Sequence, residues 1–374
     1  MMKDYEKVFL SSIRSSLWGV PVDVPMGFSD WDNVLRLARE QSMLGLVSNC
    51  ILENSEIINS LPASYQKKMK SFLITNMMTH SRLNNSLILA VATLNKAGIS
   101  PVLLKGQGLA RNYRSPELRQ CGDIDLYVGV NNYKKSYDAL HFIVSDIDDV
   151  SELYNATKHF HAQISGTIIE VHKFADIHYS PTFNNIYQSY ADEGLTSGLV
   201  ELDFGGIKVN TPSDNFNAFY VFNHLWHHFI SSGVGLRQVS DLAMFLHSRA
   251  GKLDLDYLKN LLSKMKLMIP WKTFGCIAVD MLGLPADEYP FYEPRFRDKS
   301  LKVLRRILSE GNFGQQTSFF RKHTRGYLYE KIFSFKCHIV RFWGMLTIFP
   351  FHATMQVFFS IKIGFSAVLK DLRK

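Results

Sequence analysis

Along this chain the spacing of apolar positions switches from helical to alternating and back again. The first sixty residues carry helical spacing: Trp31, Val34, Leu35 and Ala38 recur behind Ser29-Asp30, a pair suited to capping. A second helix is predicted over about 62–97, with Pro62 near its start and Gly98 where a left-handed cap belongs. The period then shortens. Residues 99–104 form a brief apolar run entered through Pro101, consistent with a buried strand. Lys105-Gly106-Gln107-Gly108 breaks that run and opens a short helix through Tyr113. Residues 123–130 predict the next strand, and Asn131-Asn132 can cap a helix ending about Leu140. The acidic stretch 146–152 reads as a loop leading into another short helix. Residues 159–164 and 167–173 predict a hairpin turned at Ser165-Gly166. A second hairpin is expected from 199–204 and 207–210, turned at Gly205-Gly206.

Helical spacing then returns. Ser213 or Asp214 caps a segment containing Phe216, Phe219, Tyr220, Phe222 and Trp226, and the pattern continues through 241–247 and 255–267. The order predicts an α+β protein with an α/β core, a small mixed sheet between helical flanks. Its parts are an N-terminal helical region over 1–60, a core over 61–210 and a C-terminal helical domain with a basic apolar tail over 211–374.

Composition agrees with a folded chain: 374 residues, 46% hydrophobic and 20% charged. Cys50, Cys121, Cys276 and Cys337 lie far apart and form no CxxC pair, which argues against a disulfide scaffold or zinc ribbon and suits a reducing cytoplasm. The charged start, with no apolar signal-peptide core after it, argues against secretion. Charge alters the picture at the other end. Residues 311–374 hold ten Lys/Arg and two Asp/Glu, so that tail accounts for the whole net charge of +8. Such a tail can meet an anionic membrane surface, a nucleic acid or a polyanionic substrate, or it can be a solvated face. Within it, the uncharged stretch 342–361 is 20 residues long. It admits three readings: a buried helical element, a contact with the membrane surface, or a span interrupted by Pro350, His352 and Gln356.

The chemistry concentrates in Gly122-Asp123-Ile124-Asp125-Leu126-Tyr127-Val128. On a strand, Asp123 and Asp125 project together while Ile124, Leu126 and Val128 face the core. Two carboxylates side by side repel each other unless a cation lies between them, and hard oxygen ligands suit Mg²⁺ or Mn²⁺. An Asp-x-Asp alone is also common on solvated strands. Its neighbours strengthen the metal reading. A strand ending in Lys105-Gly106 before a helix can offer backbone N–H groups to phosphate, and Lys105 or Arg111 can neutralise a triphosphate. Glu170 and His172 share a face of the later strand; where that strand lies beside the Asp123 strand, Glu170 can complete a three-carboxylate site, and otherwise it is an exposed strand glutamate.

In combination, Val102-Leu103-Leu104-Lys105-Gly106, Arg119-Gln120-Cys121 with the acidic segment, and Ile169-Glu170-Val171-His172 resemble the uncharacterised nucleotidyltransferase family of the DNA polymerase beta superfamily. Gly235-Leu236-Arg237-Gln238-Val239-Ser240-Asp241-Leu242-Ala243 is similar to that family's helical half, and the resemblance runs over roughly 60–250. It implies a polymerase-beta-type sheet in the core. It also implies that Asp123 and Asp125 bind the metal, that Glu170 is the third carboxylate and candidate base, and that the cofactor is Mg²⁺ or Mn²⁺. Nucleotide contacts would come from Lys105, Gly106, Gly108 and Arg119, with His172 and Arg237 as further cleft residues. The partners would be a nucleoside triphosphate and an acceptor hydroxyl on a sugar, a small molecule, a protein or an RNA end. One departure stands out: the superfamily commonly has Gly-Ser after the first strand, where this chain has Gly106-Gln107.

Two histidine groups carry alternatives. His159 and His161 fall on one strand face with His172 across the hairpin, where they can bind zinc or serve as polar sheet residues near the cleft. His224, His227 and His228 lie on one helix, spaced either for a metal or for packing among Phe222, Trp226 and Phe229. Arg237 and Asp241, four apart, can pair with each other, unless Arg237 faces the cleft.

Overall fold

Four helices open the chain: α1 (Asp4–Trp18), α2 (Trp31–Glu40), α3 (Leu44–Glu53) and α4 (Ser55–Ser60). They precede the long α5 (Ala63–Lys96), which Gly98 ends at φ 70°. The computed structural model describes residues 2–149, 158–178, 180–312 and 342–358. After α5 come β1 (Val102–Leu103), the four-residue α6 (Gln107–Ala110), β2 (Asp123–Tyr127) and α7 (Gly129–Leu140). Next are β3 (Asp146–Ile147), β4 (His159–Ile164), β5 (Thr167–His172), α8 (Pro181–Gly194), β6 (Val200–Phe204) and β7 (Ile207–Thr211). The described chain continues through α9 (Asp214–Ser231), α10 (Leu236–Ser248), α11 (Leu255–Lys264), α12 (Met268–Cys276) and α13 (Arg297–Glu310).

The seven strands form one mixed sheet in the order β3-β4-β5-β2-β1-β7-β6, flanked by helices, so the protein is of the α+β type with an α/β core. Strands β2 and β5 run parallel, as do β1 and β7, while β1–β2, β4–β5 and β6–β7 are antiparallel. The hairpin turn at Ser165 and Gly166 has φ of 50° and 73°, the double left-handed geometry that suits the twist of two joined strands.

Alternation along the strands sorts side chains into two apolar layers. Ile124, Leu126, Ile169 and Val171 pack below the sheet with Leu83, Leu87, Val91 and Leu94 of α5 and with Tyr133 and Tyr137 of α7. On the opposite face Val102, Leu104 and Tyr127 meet a larger core. That core joins Val8, Phe9 and Ile13 of α1 to Phe216, Phe219 and Phe222 of α9, so the first helices and the last ones share one interior. Asp123 and Asp125 share the face of Tyr127, on the side of this larger core, with Asp125 buried and Asp123 half-buried.

Several boundaries differ from the sequence expectation. The run 99–104 pairs only at Val102 and Leu103, because Leu104 already turns into the loop while donating its N–H to Asp125 O. Strand β2 stops at Tyr127, since Gly129 at φ 76° starts α7 ahead of Asn131-Asn132. Asp146 and Ile147 are an edge strand, pairing with Gln163 and Ala162 and so covering β4. The short helix expected after 152 lies outside the described residues. Helix α11 ends at Lys264, because Lys266 takes a left-handed conformation at φ 58°.

Candidate active site

Register brings the carboxylates together. In the parallel pair of β2 and β5, Asp125 lies opposite Glu170 and Tyr127 opposite His172. In the antiparallel hairpin, Glu170 is opposite His161 and His172 opposite His159. Asp125, Glu170 and His172 each offer a ligand atom within 4.8 Å of the others. His172 Nε2 lies 3.1 Å from Asp125 Oδ1 and 3.3 Å from Glu170 Oε2, tying the two carboxylates to one imidazole.

Lys105 completes the arrangement from the loop after β1. Its Nζ is 3.1 Å from Asp125 Oδ1 and 3.5 Å from His224 Nε2 on α9. Burial would lower the Lys105 ammonium, yet Asp125, Asp123 and Glu170 together raise it. Burial would likewise raise the Asp125 carboxyl, but Lys105 and His172 outweigh it and hold the group well below the carboxylate range. Asp123 is balanced differently. Burial, the adjacent Asp125 and Glu170 push it up, and the charges of Lys105 and, less, Arg237 act against them. For Glu170 the hydrogen bond from His172 overcomes burial and keeps the carboxyl low. His224 is driven well below its ordinary range by burial and by Lys105, so it accepts from the ammonium as a neutral ring.

One atom stands out. Asp125 Oδ2 is buried and has no hydrogen-bond partner among the described residues. A carboxylate oxygen removed from water and left unpaired is costly. A hard divalent cation would satisfy it, and the donor set of Asp125 and Glu170 with Asp123 on the same strand face fits such an ion.

The remaining residues sort as follows. Gly106 adopts φ 60°, and a Cβ there would approach Asp123 O at 3.3 Å, so glycine lets the loop close against β2. Gly108 packs against Leu103 and Thr211. Gln107 turns away into α5, donating to Asn84 Oδ1 at 2.6 Å. The Arg119 guanidinium is committed to Asp241, with Nε and Nη2 at 2.6 and 2.7 Å from its two oxygens, and Tyr113 OH donates to the same carboxylate. Arg237 does not pair with Asp241; its Nη1 donates to Gln120 O. Arg111 bonds Asp203 O and stacks over Phe204. Among the described residues, His224 and His228 join no three-ligand cluster; their rings contact edge to face at 4.4 Å.

Sequence reasoning missed a second buried charge cluster beside the first. Asp176 receives Lys158 at 3.2 Å, Asn223 at 3.0 Å and His227 at 3.2 Å. Burial would raise its carboxyl, but Lys158 and His227 outweigh burial and hold it well below the usual range. Asp176 sits in a loop, where no periodicity marks a side chain as inward-facing.

No curated protein matches the chain. A solved structure titled as an antigenic nucleotidyltransferase-like protein from Paracoccidioides brasiliensis aligns at 12% identity and a TM-score of 0.34, covering 57% of this chain and 95% of that one. Residues 28–283, more than half of the chain, match the model of the uncharacterised nucleotidyltransferase family, and the chain belongs to that family.

Proposed function

We propose that this protein moves a nucleoside monophosphate from a nucleoside triphosphate to an acceptor hydroxyl, with Mg²⁺ or Mn²⁺ held by Asp123, Asp125 and Glu170. The observation that carries this reading is the orphaned, buried Asp125 Oδ2 on the face shared with the other two carboxylates. When bound, the ion supplies charge neutralisation to the triphosphate and to the transferring phosphoryl group. The chain's own residues orient and exchange protons. Lys105 and His172 fix the Asp125 carboxylate from two sides, which holds its free oxygen in one direction. Glu170, kept ionised by His172, takes the proton of the acceptor hydroxyl as that oxygen bonds to the α-phosphorus. The bond to the pyrophosphate oxygen breaks, and the charge of Lys105 and Arg237 balances the leaving group.

A second reading, a nucleotide-binding member without transfer activity, draws on two observations. Asp125 Oδ1 is already paired with Lys105 and His172, and Gln107 turns into α5 where the superfamily commonly presents a serine. Both readings are tested by supplying each nucleoside triphosphate with Mg²⁺ or Mn²⁺ and following pyrophosphate release, with mass spectrometry for nucleotidylated products. Release that Asp123→Asn abolishes supports transfer. Tight nucleotide binding without release supports the second reading, and the absence of both binding and release sinks the two together.

A further inference from the structure

The two histidines of β4 play no part in the transfer chemistry, yet they stand beside its third carboxylate. His159 and His161 are two apart on one strand, so both side chains leave the same face. His161 Nε2 lies 3.8 Å from Glu170 Oε1, and His159 Nδ1 lies 3.8 Å from Glu170 Oε2. One ligand atom from each of the three residues falls within 4.8 Å of the others. Ligands of a tetrahedral ion at about 2.0–2.1 Å stand roughly 3.4 Å apart, so the two contacts with Glu170 need a few tenths of an ångström of movement and the widest pair up to about 1.4 Å to close around an ion.

The orientation of the rings fits that role. Asp148 Oδ2 accepts the His161 backbone N–H at 2.7 Å and lies 3.0 Å from His161 Nδ1. A carboxylate there keeps the ring proton on Nδ1 and leaves the Nε2 lone pair directed toward Glu170, the arrangement that orients metal-ligating imidazoles. His159 Nδ1 is buried and lacks a hydrogen-bond partner among the described residues. A buried, orphaned ring nitrogen facing a carboxylate at 3.8 Å leaves room for a Lewis acid between them.

We propose that His159, His161 and Glu170 hold a divalent transition-metal ion of the Zn²⁺ class, in a site that shares Glu170 with the Asp123–Asp125 pair. Imidazole nitrogens select Zn²⁺ over Mg²⁺, which prefers oxygen ligands. Because β5 separates β4 from β2, the ion lies on the side of Glu170 away from Asp125. Three protein ligands leave one tetrahedral position open to a water or ligand oxygen.

The test uses full-length protein stripped with a chelator and titrated with Co²⁺ alone, following its visible d–d absorption. Wild-type protein is expected to take up Co²⁺ stoichiometrically, with displacement by Zn²⁺ and not by excess Mg²⁺. His159→Ala and His161→Ala each remove the band. Asp148→Asn leaves all three ligands in place and weakens Co²⁺ binding by about 10–100-fold. Asp123→Asn leaves the band intact. Absence of Co²⁺ uptake by the wild type, undiminished uptake by either histidine variant, or loss of the band in Asp123→Asn overturns the proposal. A chain that transfers no nucleotide but shows the expected band loses only the transfer reading.

Discussion

Lys105 Nζ and Asp125 Oδ1 meet at 3.1 Å across the β1–β2 pair, with the Asp125 side chain completely buried. This ion pair separates the two aspartates that the sequence treats as equivalents. In the fold, Asp125→Asn removes the nearest counter-charge of Lys105 and is expected to cost on the order of 1–3 kcal/mol. Asp123→Asn removes a carboxylate that burial already raises and is expected to cost less than about 0.5 kcal/mol. Urea denaturation of the two variants checks the difference, and equal losses would remove the basis for this asymmetry.

Arg119 supplies the second prediction. Its guanidinium makes a two-pronged contact with Asp241 while both side chains are nearly inaccessible. Breaking a buried pair from one side leaves an uncompensated charge, so Arg119→Met and Asp241→Leu each cost about 3–5 kcal/mol. The double variant is expected to lose far less than the sum. Additive losses in that double-mutant cycle would show that the pair is not coupled.

The acid limb of stability follows from named groups. Burial pushes His159 and His178 to about 4 and His228 to about 3. The unfolded chain binds those protons near pH 6.5, whereas the folded chain resists them. Stability is therefore whole above about pH 6.5 and declines as pH falls toward 4, by up to about 1.4 kcal/mol per unit for each ring. Asp125 and Asp176 lie well below the carboxylate range, so their contribution is present above about pH 4 and is lost as pH falls through their folded values. Urea midpoints measured in chelator should fall steadily from pH 7 to 4. A plateau down to pH 4.5 would contradict this account.

The strand face bearing Asp123, Asp125 and Glu170 was legible because alternation along a half-buried strand is a local signal. The hairpin turned at Ser165-Gly166 was legible for the same reason, since its turn chemistry is local. What joins these segments is not local. Nothing in the spacing says that β5 lies parallel to β2 in the register that sets Asp125 against Glu170, or that Lys105 ends on Asp125. Arg119 and Asp241 are 122 residues apart, so an arginine that suits a phosphate in isolation is instead neutralised by a helix still to come. The shared interior of α1 and α9 is likewise a long-range outcome, since each helix alone shows only that it has an apolar face.

The final prediction concerns the apolar tail. No helix among the described residues is long and apolar enough to cross a membrane. Residues 342–346 and 350–358 are helical, and they are interrupted ahead of Pro350. Met345, Ile348, Phe349 and Ala353 are buried in the larger core, and Phe349 meets Trp226 of α9 edge to face at 5.0 Å. Gln356 Nε2 fastens the second helical piece by donating to Ile230 O at 2.7 Å. Phe349→Ala is therefore expected to destabilise the protein by about 3–5 kcal/mol, the scale of a deleted core aromatic. Trp343, 61% exposed, belongs to the other side of the segment, and Trp343→Ala should change stability by less than about 0.5 kcal/mol. Comparable effects from the two substitutions, measured by thermal unfolding, would mean that this stretch is not docked through Phe349.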